Sequence, residues 1–303
     1  MNDRVLIVIT GPTGSGKTAL SIELARELGC HIVSADSRQL FRGLEIGTAA
    51  PSQDELAAAP HHFIGCLSPA DYYSAAQFEQ DALSLMDRLW ADNRYIIMCG
   101  GSMMYVDAVC NGIDTLPTVS EANRRRAYDI YDRGGIEAIR AELRRLDPDY
   151  ADTVDPHNHK RIIHAVEVSL EAGVPYSTLL TGKKKKRPFT IIKAAIDMPR
   201  QQLFERINRR VDSMIANGLE EEARRLYPMR HLNSLNTVGY KELFAMFDGT
   251  MDREIAIARI AKNTRVYAKK QLTWLKRDST IHWLDPSQPL LPQLRSLLPS
   301  NSI

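Results

Sequence analysis

The chain is predicted to fold as an α/β protein whose parallel-sheet core is interrupted by a helical insertion, and three features of the sequence carry that expectation. Residues 5–10 form an almost uninterrupted apolar run that leads straight into a glycine-rich turn and then a helical periodicity. Strand-like and helix-like segments alternate through the first third of the chain, the pattern of a sheet covered by helices. Beyond Pro117 the texture changes to charged helical segments, and an apolar strand-like run returns only at Phe189.

The run at residues 5–10 has no polar alternation, which suits a strand buried on both faces of a parallel sheet. Over residues 19–28, Leu20, Leu24, Ala25 and Leu28 share one helical face, and Gly29 offers a stop. A short second strand is expected at 32–34. Phe78, Ala82, Leu85, Met86 and Leu89 space a second helix, which leads through Asn93 into a strand at 95–99 and then Gly100 and Gly101. Residues 121–146 and 158–172 read as helices of an insertion spanning 117–187, which ends in the basic run Lys183, Lys184, Lys185, Lys186, Arg187. Residues 189–196 then rejoin the sheet as a strand. The core is therefore expected to be discontinuous, 1–116 with 188–303, and to finish in helices at 201–226, 243–247 and 254–277. No internal repeat is visible.

With 303 residues, 44% hydrophobic and 25% charged, the chain can bury a sizeable core, which excludes a disordered protein. The balance of 39 basic against 37 acidic residues does not by itself announce nucleic acid, so any such partner must be argued from local clusters. Cys30, Cys66, Cys99 and Cys110 form no CxxC pair, which points to free thiols rather than zinc or disulfides. No segment has the apolar length of a membrane span, and a first strand at Val5 leaves no room for a signal peptide, so a cytoplasmic protein is expected.

The segment Gly11, Pro12, Thr13, Gly14, Ser15, Gly16, Lys17, Thr18 fits GxxxxGK[ST] between a buried strand and an amphipathic helix, the context that defines a P-loop. Successive backbone N–H groups at a helix N-terminus would hold phosphate oxygens, Lys17 would neutralise the terminal phosphate, and the Thr18 hydroxyl would bind Mg²⁺. The core is thus P-loop NTPase-like. Most such loops hold nucleoside triphosphates, yet the cradle reads only phosphate oxygens and serves any diphosphate. The strand at 95–99 ends in Cys99 and Gly100, where a nucleotide hydrolase or kinase would place a metal-binding acid. The acid that stands out instead is Asp36, just past the second strand and beside the P-loop at the carboxyl edge of the sheet, either as a reactive group or as a turn or N-cap aspartate. His157, His159 and His164 lie close in sequence, but nothing near them completes a tetrahedral metal site.

Five further segments carry, with the P-loop, a resemblance that spans nearly the whole chain. Beside the P-loop these are ADSRQLFRGLEIGTAAP from Ala35, YSAAQF from Tyr73, GGSMMY from Gly100, VGYKEL from Val238 and KQLTWLKRD from Lys270. In that order they resemble the bacterial tRNA dimethylallyltransferases, also called tRNA isopentenyltransferases. Ser102 stands where that family usually has Thr, and His164 where a second arginine follows Arg161. The resemblance implies an enzyme, acting as a monomer, that moves a dimethylallyl group from dimethylallyl diphosphate to the exocyclic amine of the adenosine just 3′ of the anticodon in tRNA. It implies that Asp36 is the catalytic base, with Lys17, Thr18 and Ser102 at the reacting centre. Asp36, Ser37, Arg38 and Gln39 would meet the target nucleotide; Arg124, Lys160, Arg161 and His164 of the insertion would grip the anticodon stem-loop. Asn236, Gly239, Tyr240 and Lys241 would add further tRNA contacts.

An adenine amine is a poor nucleophile, so such an enzyme must stabilise the departing diphosphate and accept the amine proton. The acceptor base must also leave its stack to be reached, and Phe41, Tyr105 and Tyr240 are aromatic candidates to receive it. Arg206 and Arg210 are candidates for the diphosphate or the RNA backbone, as is the lysine run with Arg187 for RNA phosphate. On the last helix Arg259, Lys262, Arg265, Lys269 and Lys276 share one sector, opposite Ile257, Ile260, Ala261, Tyr267, Trp274 and Leu275, which predicts an RNA-facing stripe and a packing face. The competing readings are an adenylate isopentenyltransferase acting on a free nucleotide and a P-loop small-molecule kinase.

Overall fold

A computed structural model describes residues 4–299; residues 1–3, on which the signal-peptide expectation falls, lie outside that range. The opening apolar run becomes β1 (Val5–Thr10), buried at every position, as a strand covered on both faces must be. It is followed by α1 (Lys17–Leu28), β2 (His31–Ser34), α2 (Gln53–Ala58), β3 (His61–His62), α3 (Ala75–Leu89), β4 (Tyr95–Gly100) and α4 (Met103–Asn111). A helical segment then supplies α5 (Glu121–Leu146), α6 (Pro148–Thr153), α7 (His159–Ala172) and α8 (Tyr176–Leu179). The sheet resumes with β5 (Thr190–Ile196), and the chain continues through α9 (Arg200–Ala216), α10 (Leu219–Leu226), α11 (Tyr240–Phe247), α12 (Arg253–Leu275), β6 (Ile281–Leu284) and α13 (Leu290–Arg295). The single helix expected over 201–226 is two, because Gly218 with φ 95° ends one and starts the next.

The described strands form one parallel sheet in the order β3-β2-β4-β1-β5-β6. From β1 the chain crosses toward β2 on one side and later returns to β5 on the other. The loop after β1 therefore opens at a topological switch point, where α/β sheets bind their ligands. Alternate residues of β1 feed two cores. Leu6 and Val8 pack with Phe78, Met86, Tyr240 and Leu243, whereas Ile7 and Ile9 pack with Leu24, Leu203, Ile207 and Ala268. No helix among the described residues is long and apolar enough to cross a membrane.

The contacts divide the chain into two units, one built from the residues up to Asn111 together with those from Lys186 onward, the other from Gly112–Lys185. In the second unit α5 bends at Gly135, and Ile139 and Leu143 of α5 pack on Ile162, Ile163 and Val166 of α7. Asp147 joins its corners, accepting from the Tyr150 N–H at 3.0 Å and the Ser177 hydroxyl at 2.8 Å.

Arg187 corrects one expectation. It does not extend the exposed lysine run toward solvent but turns its side chain, 9% exposed, into the first unit, ion-paired to Glu79 at 2.7 Å and donating to the carbonyls of Ala108 and Val109 near the end of α4. The last carbonyls of a helix lack intrahelical partners, and the planar guanidinium satisfies two of them while pairing with a carboxylate.

The edge of the site depends on one close backbone approach. A Cβ on Gly100 would stand 2.2 Å from the carbonyl oxygen of Ala35, which itself accepts from the Ser102 N–H at 3.1 Å. Gly100→Ala should lower stability by about 3 kcal/mol, because backbone cannot move aside as a flexible side chain does. Urea unfolding midpoints check this, and an unchanged midpoint would mean the two segments part easily.

Candidate active site

The glycine loop folds as its motif requires. Gly16 has φ 98°, which admits glycine without strain, and a Cβ there would meet the Arg206 guanidinium at 3.2 Å. Arg206 thus lies against the loop, and Arg210, one turn further along α9, donates to the Thr13 hydroxyl at 3.2 Å. Both arginines singled out in the sequence come to the phosphate loop. Lys17 reaches back to the Pro12 carbonyl at 3.5 Å. Burial lowers its pKa, and Arg210 pushes the same way while Cys99 and Asp36 oppose. Two confined cations facing each other are an electrostatic cost that a bound anion removes. The Ser15 hydroxyl, 1% exposed, makes no hydrogen bond among the described residues and suits a phosphate oxygen.

Lys17, Thr18, Arg210, Asp36, Ser37 and Ser102 open on one cavity of about 370 Å³. Asp36 uses one oxygen to close its own turn, with Oδ1 accepting the N–H groups of Arg38 at 3.0 Å and Gln39 at 3.4 Å. No hydrogen bond to Oδ2 is formed among the described residues. The turn reading of this aspartate is thus realised on Oδ1. Ser102, 8% exposed, accepts from the Ser37 N–H at 2.8 Å and donates to the Ser37 hydroxyl at 3.1 Å, so it holds the Asp36 turn against the end of β4. Gln39 shapes the wall: its amide donates to the carbonyls of Thr48 at 3.3 Å and Ala49 at 3.0 Å and accepts from Ser34. The Arg38 guanidinium is held by the carbonyls of Asn233 and Ser234. Cys99, where the acid of a nucleotide hydrolase would stand, is kept as a thiol because burial raises its pKa.

Part of the cavity wall is apolar, formed by Ile207, Val211, Met214, Leu219, Val238 and Ile260, and Asn236, Thr237, Gly239 and Lys241 also line it. Tyr240 does not. It is fully buried, with its hydroxyl donating to Glu222 at 2.7 Å, so it is a core residue and not an RNA contact. Phe41 and Tyr105 are likewise core, 6% and 5% exposed, Tyr105 stacking on Phe78. Tyr267, expected on the packing face of the last helix, is 40% exposed and lines the cavity.

Two residues were given no role in the sequence reading, although one of them, Gln271, lies in its KQLTWLKRD segment. Gln271 of α12, 3% exposed, accepts from the Thr13 N–H at 3.0 Å and donates to the Gly101 carbonyl at 2.8 Å, joining the phosphate loop to the end of β4. Its signal was a glutamine among the buried positions Ala268 and Leu275 of one helix face. Glu222, 1% exposed, accepts from the N–H groups of Ile46 at 2.9 Å and Gly47 at 2.8 Å and so fixes the loop that holds Gln39. No signal short of the fold distinguishes it from the neighbouring glutamates of α10.

On α12 the basic stripe divides. Lys262 is exposed, whereas Arg265 hydrogen-bonds Asn208 and lies with Lys269 over the Phe204 ring of α9. In the helical unit Arg124 and His164 flank Glu167, at 3.9 Å and 3.7 Å, and Lys160 and Arg161 are exposed on α7. His159 stacks on Tyr131.

A parallel sheet with a P-loop at its switch point, cations around the loop and an aspartate beside it defines a P-loop NTPase-like fold. The family model described as IPP transferase matches residues 39–278. Similar proteins include tRNA dimethylallyltransferase 1 of Phocaeicola vulgatus, 51% identical over 283 residues that cover 93% of this chain and 94% of that one. Another is tRNA dimethylallyltransferase 2 of Parabacteroides distasonis, 50% identical over 93% of this chain and 95% of the relative. Among solved structures, the full-length tRNA isopentenylpyrophosphate transferase of Bacillus halodurans matches with TM-score 0.71 and 33% identity, covering 97% of this chain and 94% of that one. A eukaryotic dimethylallyltransferase acting on tRNA matches with TM-score 0.83 and 25% identity, over 98% of this chain and 79% of that one. The chain belongs to the IPP transferase family of prenyl-transferring enzymes.

Proposed function

We propose that the protein transfers a dimethylallyl group from dimethylallyl diphosphate to the exocyclic N6 amine of the adenosine immediately 3′ of the anticodon in tRNA, releasing diphosphate. The observation that carries this reading is that Asp36, one of whose oxygens takes no hydrogen bond among the described residues, and the phosphate loop belong to one cavity with an apolar stretch of wall. The P-loop N–H groups, Lys17, Arg206 and Arg210 take up the charge that grows on the departing diphosphate, the kind of stabilisation usually worth most. The apolar wall from Ile207 to Ile260 receives the prenyl tail and keeps water from the reacting carbon. Asp36 Oδ2 accepts the amine proton as the new C–N bond forms, while Oδ1 and Ser102 hold it in place.

A divalent cation fits the donors present. Among the described residues no cluster of three His, Cys, Asp or Glu surrounds the loop, but Thr18 offers a hydroxyl there, and Mg²⁺ is usually held by few protein oxygens with water and phosphate completing its shell. Thr18 would hold it, and when bound it would neutralise charge on the diphosphate. The helical unit, with Arg124, Lys160, Arg161 and His164, grips the anticodon stem-loop in this reading, and Asn236, Gly239, Lys241, Lys262, Arg265 and Lys269 follow the RNA toward the cavity. The acting species is a monomer in the cytoplasm.

Incubation of the protein with dimethylallyl diphosphate, Mg²⁺ and unmodified tRNA, followed by nuclease digestion and mass spectrometry, should place a dimethylallyl group on that adenosine. Prenylation of AMP with none on tRNA would make it an adenylate isopentenyltransferase. Phosphoryl transfer from ATP without prenylation would make it a kinase.

A further inference from the structure

Acting on a base requires taking it out of its stack, and the pocket that receives it must return some of the lost stacking. The aromatics that the sequence offered for this are closed off, with Phe41, Tyr105 and Tyr240 at most 6% exposed. Tyr267 differs. It is 40% exposed, and among the described residues it is the sole aromatic side chain lining the reaction cavity. It stands on α12 between Thr264 and Gln271, which line the same cavity at helical spacing, and Gln271 anchors that helix to the phosphate loop. Its hydroxyl lies near enough to Asp36 and Arg38 for both charges to act on it. The ring therefore shares the cavity with the proposed base, on a helix clamped in place.

We propose that Tyr267 is the stacking surface for the acceptor adenine, a binding role that rests on the tRNA-prenyltransferase reading above. A flat, half-exposed ring of few rotamers offers a sequence-tolerant face to a flipped base, while the buried Ala268 beside it keeps the helix packed. The apolar wall then takes the prenyl tail and Tyr267 the base, so that the two reactants meet between them at Asp36.

The test uses the full chain and an anticodon stem-loop RNA carrying 2-aminopurine at the acceptor position, whose emission is quenched by stacking. Bound to the wild type the probe should be quenched. Bound to Tyr267→Leu it should be several-fold brighter, and Tyr267→Phe should restore the quench. In steady state Tyr267→Leu should raise KM for tRNA by about tenfold, within what one base–aromatic stack is worth. Its affinity for dimethylallyl diphosphate should not change, because in this reading the ring meets the base while the loop and the apolar wall hold the donor. Equal emission and equal KM for wild type and Tyr267→Leu would overturn the assignment while leaving the activity standing. A wild type that prenylates no tRNA would overturn the functional reading and this inference with it.

Discussion

Lys17→Ala should abolish prenyl transfer, lowering kcat/KM by about 10³-fold, while the protein unfolds at the wild-type denaturant concentration. The ammonium has one weak contact inside the protein, to the Pro12 carbonyl at 3.5 Å, so its removal costs little folding energy. Its partner is the anion of the donor and product. Burial lowers the Lys17 pKa, with Arg210 acting in the same direction, so the free protein gives up this proton earlier in an alkaline titration than an ordinary lysine does. Bound diphosphate favours the ammonium and raises that pKa. Linkage then makes diphosphate affinity level at lower pH and makes it fall as pH rises through the free protein's value, by up to tenfold per unit. Calorimetric titration of wild type and Lys17→Ala with inorganic diphosphate across the alkaline range isolates this slope as the difference between them. Equal affinities at neutral pH would remove Lys17 from the cradle.

Much of this site was legible because its chemistry is written in contiguous backbone. The P-loop needs a strand end, glycines at fixed offsets and a helix start within one stretch from Thr10 to Lys17, and local sequence dictates all three. The strands β1, β4 and β5 were readable for a similar reason, since strands buried on both faces tolerate few polar residues. The edge strands β3 and β6 carry histidines and a tryptophan over two and four residues, too short for any period to emerge. Helix α4 was hidden in a nine-residue, mostly apolar run whose polar residues Asp107 and Asn111 are too few to define a helical face.

Side-chain roles were harder, because they depend on partners far along the chain. Gln271 meets Thr13 across 258 residues, and Glu222 meets Gly47 across 175. A glutamine among the buried positions of α12 hints at the first, but nothing local marks the second. Tyr267 shows a subtler limit. Seven residues separate it from Ile260, so the helical wheel rightly put both on one face, and both line the cavity. Periodicity finds which residues look the same way, but whether they look into packed core or into a binding site is decided by the elements opposite.

Asp36→Asn should cut turnover by about 10²–10⁴-fold while leaving stability, diphosphate affinity and tRNA affinity nearly at wild-type values. The expectation comes from the division of labour between the two oxygens. Oδ1 accepts from the backbone N–H groups of Arg38 and Gln39, and an amide oxygen in that position accepts them equally well. The turn, the Ser102 contact to Ser37 and the cavity wall should all persist. The amide nitrogen then falls where Oδ2 stood, and it donates where the carboxylate accepted, so the amine proton has no receiver. Asp36→Ala separates the two roles: it removes the turn-closing acceptor as well, and should lower both the rate and the unfolding midpoint. Single-turnover prenylation with saturating donor and tRNA measures the chemical step free of binding, and urea unfolding of the same variants reads the turn. A single-turnover rate for Asp36→Asn within a few-fold of wild type would leave Asp36 only its structural oxygen, and the proton acceptor would have to be sought elsewhere along the cavity wall.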